Sequence, residues 1–505
     1  MIALPLERST LDSPGDFIGG AFETAPSPDE LLRIQSPADR NDLVATHPTA
    51  RSQVDRAVDT AREAQRAWRR RGRSERAALL RAYQARIRGY EDEITLAIAR
   101  EVGKPLWEAR TEAKALAAKV DAILGEGSRF VEDQQIDELP GEIRYRPHGV
   151  VAVVGPFNFP VHLPNGQIIP SLLLGNTVIF KPSEKTPSAA YWMARAYSEA
   201  GFPAGVFNLV QGGVNSSRAL ISHPGIDGIL FTGSAAVGRA IVRENADQLG
   251  KLIALELGGK NASIVLEDAD LDRTARLIAF AGFATAGQRC TATSRVYAAR
   301  SIIDPLIERL HRAAEVAVVG YPLNDGVFLG PVISEASRAA ILAAQDRAVE
   351  AGFERVTGGG PVEIKGHPGN YLRPALHRAP SGDAVAPGYT REELFGPDIA
   401  VYPVDGLDEA VARTNDSPFG LSAAVFTASR ERFERAADEL RVGVIHHNRP
   451  SSGASGRLPF GGVKDSGNHR PAGIMIATAC AYPQGILHAP KREGELPTWP
   501  GLTLD

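Results

Sequence analysis

An α/β fold built on parallel sheets is what this sequence predicts, and two observations carry the prediction. Short β-branched or apolar runs recur at residues 150–154, 176–180, 206–210 and 227–231, bounded by glycine or proline and separated by helical stretches at 187–200 and 234–246. The alternation returns later, with strands at 261–266, 293–299, 399–403, 423–426 and 442–446 set among helices at 271–284, 302–319, 335–351 and 430–440. Strand and helix alternating at this spacing mean βαβ units and a parallel sheet.

The elements before that section read differently. Residues 1–50 are rich in Pro, Asp and Ser around Phe17-Ile18-Gly19-Gly20, which suits a surface arm with a small hairpin. From Arg51 to Val131 the chain reads as helices: Val54, Val58, Ala61, Ala64 and Trp68 fall at helical spacing, and Pro105 marks a break. The run Trp68-Arg69-Arg70-Arg71-Gly72-Arg73 reads as a solvated helix end, since helix C-termini favour cations. Glu142-Ile143-Arg144-Tyr145-Arg146 alternates with period two, as an exposed strand in an assembly hairpin would.

Length and composition bound the function. At roughly 150 residues per domain, 505 residues make about three domains or two large ones. Lys+Arg 56 against Asp+Glu 60 gives a net charge of −4, which argues against nucleic acid or an anionic membrane as the main partner. The first twenty residues carry Glu7, Arg8, Asp12 and Asp16 and lack a hydrophobic signal core, so a cytoplasmic protein is expected. Cys290 and Cys480 are the only cysteines, too few for a disulfide framework.

Chemistry gathers around three segments. Phe283-Ala284-Thr285-Ala286-Gly287-Gln288-Arg289-Cys290-Thr291 holds a cysteine in a glycine-broken turn, Leu255-Glu256-Leu257-Gly258-Gly259-Lys260 ends an apolar run with a carboxylate, and Gly155-Pro156-Phe157-Asn158-Phe159-Pro160 offers a side-chain amide. A thiol nucleophile, an amide donor and a carboxylate base are what a covalent acyl-enzyme mechanism needs. Because parallel sheets bind ligands at the carboxyl ends of their strands, the residues after each strand matter. Lys181-Pro182-Ser183-Glu184 supplies a cation and a carboxylate. Thr232-Gly233-Ser234-Ala235-Ala236-Val237-Gly238 opens a helix whose free N–H groups suit a pyrophosphate.

Taken together, seven motifs in order resemble the NAD(P)-dependent aldehyde dehydrogenases: Pro156-Phe157-Asn158, Lys181-Pro182-Ser183-Glu184, Phe231-Thr232-Gly233-Ser234, Glu256-Leu257-Gly258-Gly259-Lys260, Gly287-Gln288-Arg289-Cys290, Glu393-Leu394-Phe395-Gly396-Pro397 and Pro459-Phe460-Gly461-Gly462. Within that superfamily, His162-Leu163-Pro164-Asn165-Gly166, Gly287-Gln288-Arg289-Cys290-Thr291 and Ser466-Gly467-Asn468-His469-Arg470-Pro471 are most similar to the branch oxidising N-succinylglutamate 5-semialdehyde in arginine catabolism.

The resemblance implies a Rossmann-type NAD-binding domain (residues 1–133 and 147–256), an α/β catalytic domain (257–424), a return segment (425–464) and a small β oligomerisation element (134–146 and 465–505), in a homodimer or homotetramer. It implies Cys290 as nucleophile, Asn158 as oxyanion donor and Glu256 as base for the deacylating water. NAD, favoured over NADP because Glu184 repels a 2′-phosphate, would sit on Lys181, Ser183, Glu184, Gly233, Ser234, Gly238, Glu393 and Phe395; no metal is called for. Arg289, Arg457 and His469 are candidates to bind the carboxylates of an anionic semialdehyde, each with a structural alternative: a donor within its loop, a surface residue and a loop brace. A CoA-acylating relative would not need Glu256, and a non-catalytic relative would be expected to lose Cys290, Asn158 or Glu256; all three are present. Succinate semialdehyde is the next substrate candidate.

Overall fold

A computed structural model describes residues 10–12, 14–137, 140–380, 385–453, 455–470, 472–489 and 499–501. Residues 1–9 of the expected arm, 138–139 of the expected hairpin, Pro471 and most of the tail after residue 489 lie outside the described residues.

Two seven-stranded sheets frame the protein. In the first, Leu252–Glu256, Gly228–Thr232, Val150–Val154, Thr177–Lys181 and Phe207–Leu209 run parallel in that spatial order. Successive residues of a strand face opposite sides, so both faces of a buried strand must be apolar. Val150–Val154 does this: Val151 and Val153 pack with Leu80, Leu116 and Ile168 of one helical layer, while Val150 and Ala152 pack with Val54, Val58 and Ile241 of the other.

The second sheet has the order Glu354–Thr357, Ala375–Arg378, Asp398–Val404, Thr293–Ala299, Asn261–Val265, Ser422–Phe426 and Val444–His447, parallel except at its first pair. The expected boundary at residue 424 therefore cuts a strand. Val444–His447 pairs in register with Ser422–Phe426, so residues 425–447 stay with the second sheet instead of returning to the first.

The N-terminal arm also needs correction. Its hairpin exists as Asp16–Ile18 and Ala21–Glu23, but Asp16–Ile18 is buried and pairs antiparallel with Phe207–Leu209. An uncovered strand there would leave a row of backbone groups unpaired, and Phe17 and Ile18 bring apolar surface to cover it. Asp16 Oδ1 accepts the Gln211 N–H at 2.7 Å and meets His47, locking the join.

Helices Ser52–Arg70, Arg73–Gly89, Glu91–Val102 and Leu106–Leu124 fill the expected helical region, broken at Pro105. Gln134–Ile136, Gly141–Pro147 and Ala481–Leu487 make a separate three-stranded sheet, with Tyr482 and Leu487 exposed on its outer strand. Among the described residues no helix is long and apolar enough to cross a membrane.

Candidate active site

The edge strand of the first sheet ends at Glu256, and Leu257-Gly258-Gly259-Lys260 carries the chain to Asn261, where a central strand of the second sheet begins. Asn261 pairs with Thr293, which draws the Cys290 loop back against this crossing. Asn261 Nδ2 then donates to the carbonyls of Cys290 at 2.7 Å and Ala292 at 3.0 Å. From the other side, Asn158 Nδ2 donates to the Gln288 carbonyl at 2.9 Å. The amide, the thiol and the carboxylate expected from sequence thus share one junction between the sheets.

The Cys290 loop is held in an uncommon conformation. Thr285, Ala286 and Gly287 have φ of 58°, 52° and 70°, a left-handed run in which only the last residue is glycine. Such geometry costs about 1–3 kcal/mol per non-glycine residue and persists only where neighbours enforce it. At Gly287 a Cβ would stand 2.0 Å from the Gly396 carbonyl oxygen, so no other residue fits. The enforcing neighbour is Glu108: its carboxylate accepts the Thr285 N–H at 3.1 Å, the Thr285 hydroxyl, and Arg289 Nη2 at 2.7 Å. Burial raises the Glu108 carboxyl, but Arg289 and Lys104 outweigh it and hold the group below the usual range. Gln288 ties the loop further, donating to the Thr285 carbonyl at 3.1 Å and accepting the Ile333 N–H at 2.8 Å.

At the junction Glu256 is withdrawn from solvent, while Cys290 and Glu393 are half-buried. Burial, then Glu393 and Glu256, push the Cys290 thiol up to about 12, while the N–H groups of Cys290 and Thr291 face the sulfur. Glu256 is buried with Oε2 lacking a partner among the described residues. Burial raises it well above the carboxylate range, only partly offset by the Ala472 N–H. Burial also lifts Glu393 to about 7, against the Gly259 N–H it accepts at 3.0 Å. A Cβ on Gly258 would sit 2.0 Å from Glu393 Oε2, so glycine there is what lets this carboxylate approach.

The residues assigned to a dinucleotide fit one. Lys181 ends one of the two parallel strands flanking Val150–Val154 and Gly233 follows the other, so both lie at the same end of the sheet. Lys181 is buried, its Nζ donating to the Pro182 carbonyl at 2.7 Å, and burial lowers it to about 8 despite Glu184, Glu30 and Asp16. Ser183 accepts the Lys185 N–H at 3.3 Å, beside half-buried Glu184. Exposed Ser234 caps the helix Ala235–Glu244, accepting the Val237 N–H at 3.3 Å. Val214 and Val237 lie exposed on the first turns of two neighbouring helices. Phe395, with φ 54°, sets its ring edge-on to Phe157 at 5.8 Å. At Gly238 a Cβ would press Leu257 Cδ2 at 2.8 Å, so the missing side chain lets this helix pack closely there.

The three expected substrate contacts are not brought together as free donors. Arg289 is an ion-pair partner of Glu108 and donates to Thr285 Oγ1 at 2.7 Å, the within-loop alternative. Arg457 lies on the surface, its side chain 73% exposed and paired with Glu126. His469 is exposed with φ 61°, while neighbouring Asn468 and Ser466 do the bracing: Asn468 Oδ1 accepts the Leu255 N–H at 2.9 Å and Ser466 Oγ donates to the Gly258 carbonyl at 2.7 Å. Glu108 and Asn261 went unread in the sequence. Only Asn261, directly after the Glu256 segment, carried a local signal.

Comparisons with known proteins point to one family. The family model described as "Aldehyde dehydrogenase family" matches residues 24–484. A Chromobacterium violaceum protein named N-succinylglutamate 5-semialdehyde dehydrogenase is 40% identical over 94% of this chain and 97% of its own. One of the same name from Novosphingobium aromaticivorans is 40% identical over 85% and 91%. Among solved structures, an NAD-dependent aldehyde dehydrogenase from Sinorhizobium meliloti superposes with TM-score 0.90 at 32% identity, covering 96% of each chain. A Thermus 1-pyrroline-5-carboxylate dehydrogenase with bound NAD gives 0.87 at 29%, covering 94% of this chain and 93% of its own. With thiol, amide and carboxylate converging between two α/β sheets and a family match over most of its length, this chain belongs to the aldehyde dehydrogenase family.

Proposed function

We propose that this enzyme oxidises a carboxylate-bearing semialdehyde, N-succinylglutamate 5-semialdehyde first among them, to the acid, with NAD as hydride acceptor and water as acyl acceptor. The observation that carries the reading is the junction itself, where the Cys290 loop lies beside both the Glu256 strand and Asn158. The names of the 40%-identical relatives support the substrate.

In this reading the Cys290 thiol gives its proton to solvent and Sγ attacks the aldehyde carbon, forming a C–S bond. The carbonyl oxygen becomes an oxyanion facing the Cys290 N–H and the Asn158 amide, which has a second hydrogen beyond the one given to Gln288. Lys181, Glu184, Ser234 and Glu393 would hold a nicotinamide dinucleotide, which would supply the hydride acceptor. Loss of hydride leaves a thioester on Cys290. Glu256 then takes a proton from water, whose oxygen attacks the thioester carbon; the C–S bond breaks, the acid leaves, and Sγ takes the proton that Glu256 holds. Burial without a counter-charge makes Glu256 a stronger base once ionised.

Residues 1–133 and 147–256 serve the nucleotide, the second sheet to residue 447 carries the thiol, and the three-stranded sheet with its exposed outer strand is the assembly surface of a homodimer or homotetramer. Two free thiols suit a cytoplasmic location. The test is a kcat/KM panel of N-succinylglutamate 5-semialdehyde, succinate semialdehyde, glutamate semialdehyde and hexanal, followed by NADH absorbance with and without CoA. Preference for a dicarboxylate semialdehyde without CoA is the expected result; hexanal as best substrate would overturn the anionic reading, and CoA dependence the hydrolytic one.

A further inference from the structure

With Arg289 and Arg457 paired, an anionic substrate still needs a cation, and one is available on the helix Leu106–Leu124. The carboxylates around that helix are matched: Glu108 with Arg289, Glu112 with Lys104 at 2.8 Å, Asp121 with Arg81, Glu126 with Arg457. Lys119, like half-buried Arg110 on the same helix, has none of these carboxylates. It is half-buried and has no hydrogen-bond or ion-pair partner among the described residues. A cation drawn from water without a counter-ion is uncommon, because burial penalises the charge unless it is paired. Burial does hold the Lys119 ammonium below the usual lysine range.

Its surroundings tie it to the reaction site. Asn165 Nδ2 donates to the Leu116 carbonyl at 3.0 Å, which fixes the helix His162–Leu174 against Leu106–Leu124 one turn before Lys119. A Cβ on Gly166 would stand 3.5 Å from Lys119 Cε, and one on Gly456 3.6 Å from Nζ, so two glycines on different segments leave room around the ammonium. Both segments reach the Cys290 loop. The first begins just after Asn158, which holds the Gln288 carbonyl; the second begins at Ser451, whose hydroxyl donates to the Thr291 carbonyl at 2.8 Å. His162, one helical turn inward of Gly166, keeps Nδ1 unpartnered and is held neutral, at about 3, by burial and then by the Lys119 and Lys104 charges.

We propose that Lys119 receives the carboxylate of the semialdehyde farthest from the aldehyde carbon, between the Gly166 turn and the Gly456 loop, so that it sets the preference for anionic substrates. This rests on the anionic-semialdehyde reading above. The test compares wild type, Lys119→Met, which keeps the stem, and Lys119→Arg, which keeps the charge. For Lys119→Met the ratio of kcat/KM on N-succinylglutamate 5-semialdehyde to that on hexanal should fall about ten- to hundredfold, mainly through KM, as expected for loss of one charge-assisted contact. Lys119→Arg should recover most of the ratio. By calorimetry without nucleotide, N-succinylglutamate should bind Lys119→Met more weakly than wild type by a similar factor. An unchanged ratio, or equal loss on both substrates with unaltered product binding, would overturn the assignment. A wild type that does not prefer the anionic substrate would instead overturn the functional reading itself.

Discussion

Without nucleotide and at neutral pH, Cys290 should be alkylated by iodoacetamide far more slowly than an ordinary cysteine, and markedly faster with each added pH unit. Burial and the Glu393 and Glu256 charges push its thiol up to about 12. At pH 7 such a thiol is ionised to ~10⁻⁵, against about 3% for a free cysteine near 8.5, a deficit of roughly 3.5 log units. Greater basicity returns part of this: nucleophilicity rises by about 0.4–0.5 log units per pKa unit, or roughly 1.6 here. The net expectation is alkylation about a hundredfold slower than a free cysteine, rising about tenfold per pH unit up to about pH 9 without a plateau. The sign follows from the cause: each nearby negative charge opposes the thiolate, so Glu393→Gln should move the profile toward lower pH. Mass spectrometry of the Cys290 peptide across pH, with Cys480 as the buried internal control, measures it. A plateau below about pH 9 in the wild type would refute the argument, since the resting thiol would then be activated already.

Further outcomes follow from the same geometry. Glu256→Gln should give a burst of NADH of at most about one equivalent per site and then nearly stop, whereas Cys290→Ala gives none; equal loss of burst and turnover by stopped flow would remove Glu256 from deacylation. Glu108→Ala leaves the Arg289 guanidinium without its carboxylate and frees the strained loop, so stability from urea titration should drop by about 3–5 kcal/mol. An unchanged midpoint contradicts that role. Gly287→Ala must place a side chain at φ 70° against the Gly396 carbonyl, so little folded, active protein should be recovered; full activity would show the loop to be more compliant than its geometry implies. If the three-stranded sheet mediates assembly, light scattering should find a dimer or tetramer for the wild type and smaller species after removal of residues 481–489.

Local pattern made most of the frame legible. Val150–Val154 is apolar at every position because both faces of a parallel strand are covered, and that requirement is written in consecutive residues. The glycine-broken turn at Cys290 was equally readable, since glycine, cysteine and the flanking polar residues stand side by side. Pairing between distant segments was not. Arg289 looks like a substrate contact until the fold brings Glu108 against it, and Asp16–Ile18 looks like a surface arm until Phe207–Leu209 presents an uncovered edge. The same holds for Lys119, one lysine among many in sequence, whose isolation is visible only once the surrounding carboxylates have found their cations. Periodicity reports what one element needs from its environment; which charge stands opposite another depends on chain segments far apart in sequence, and only the tertiary structure decides it.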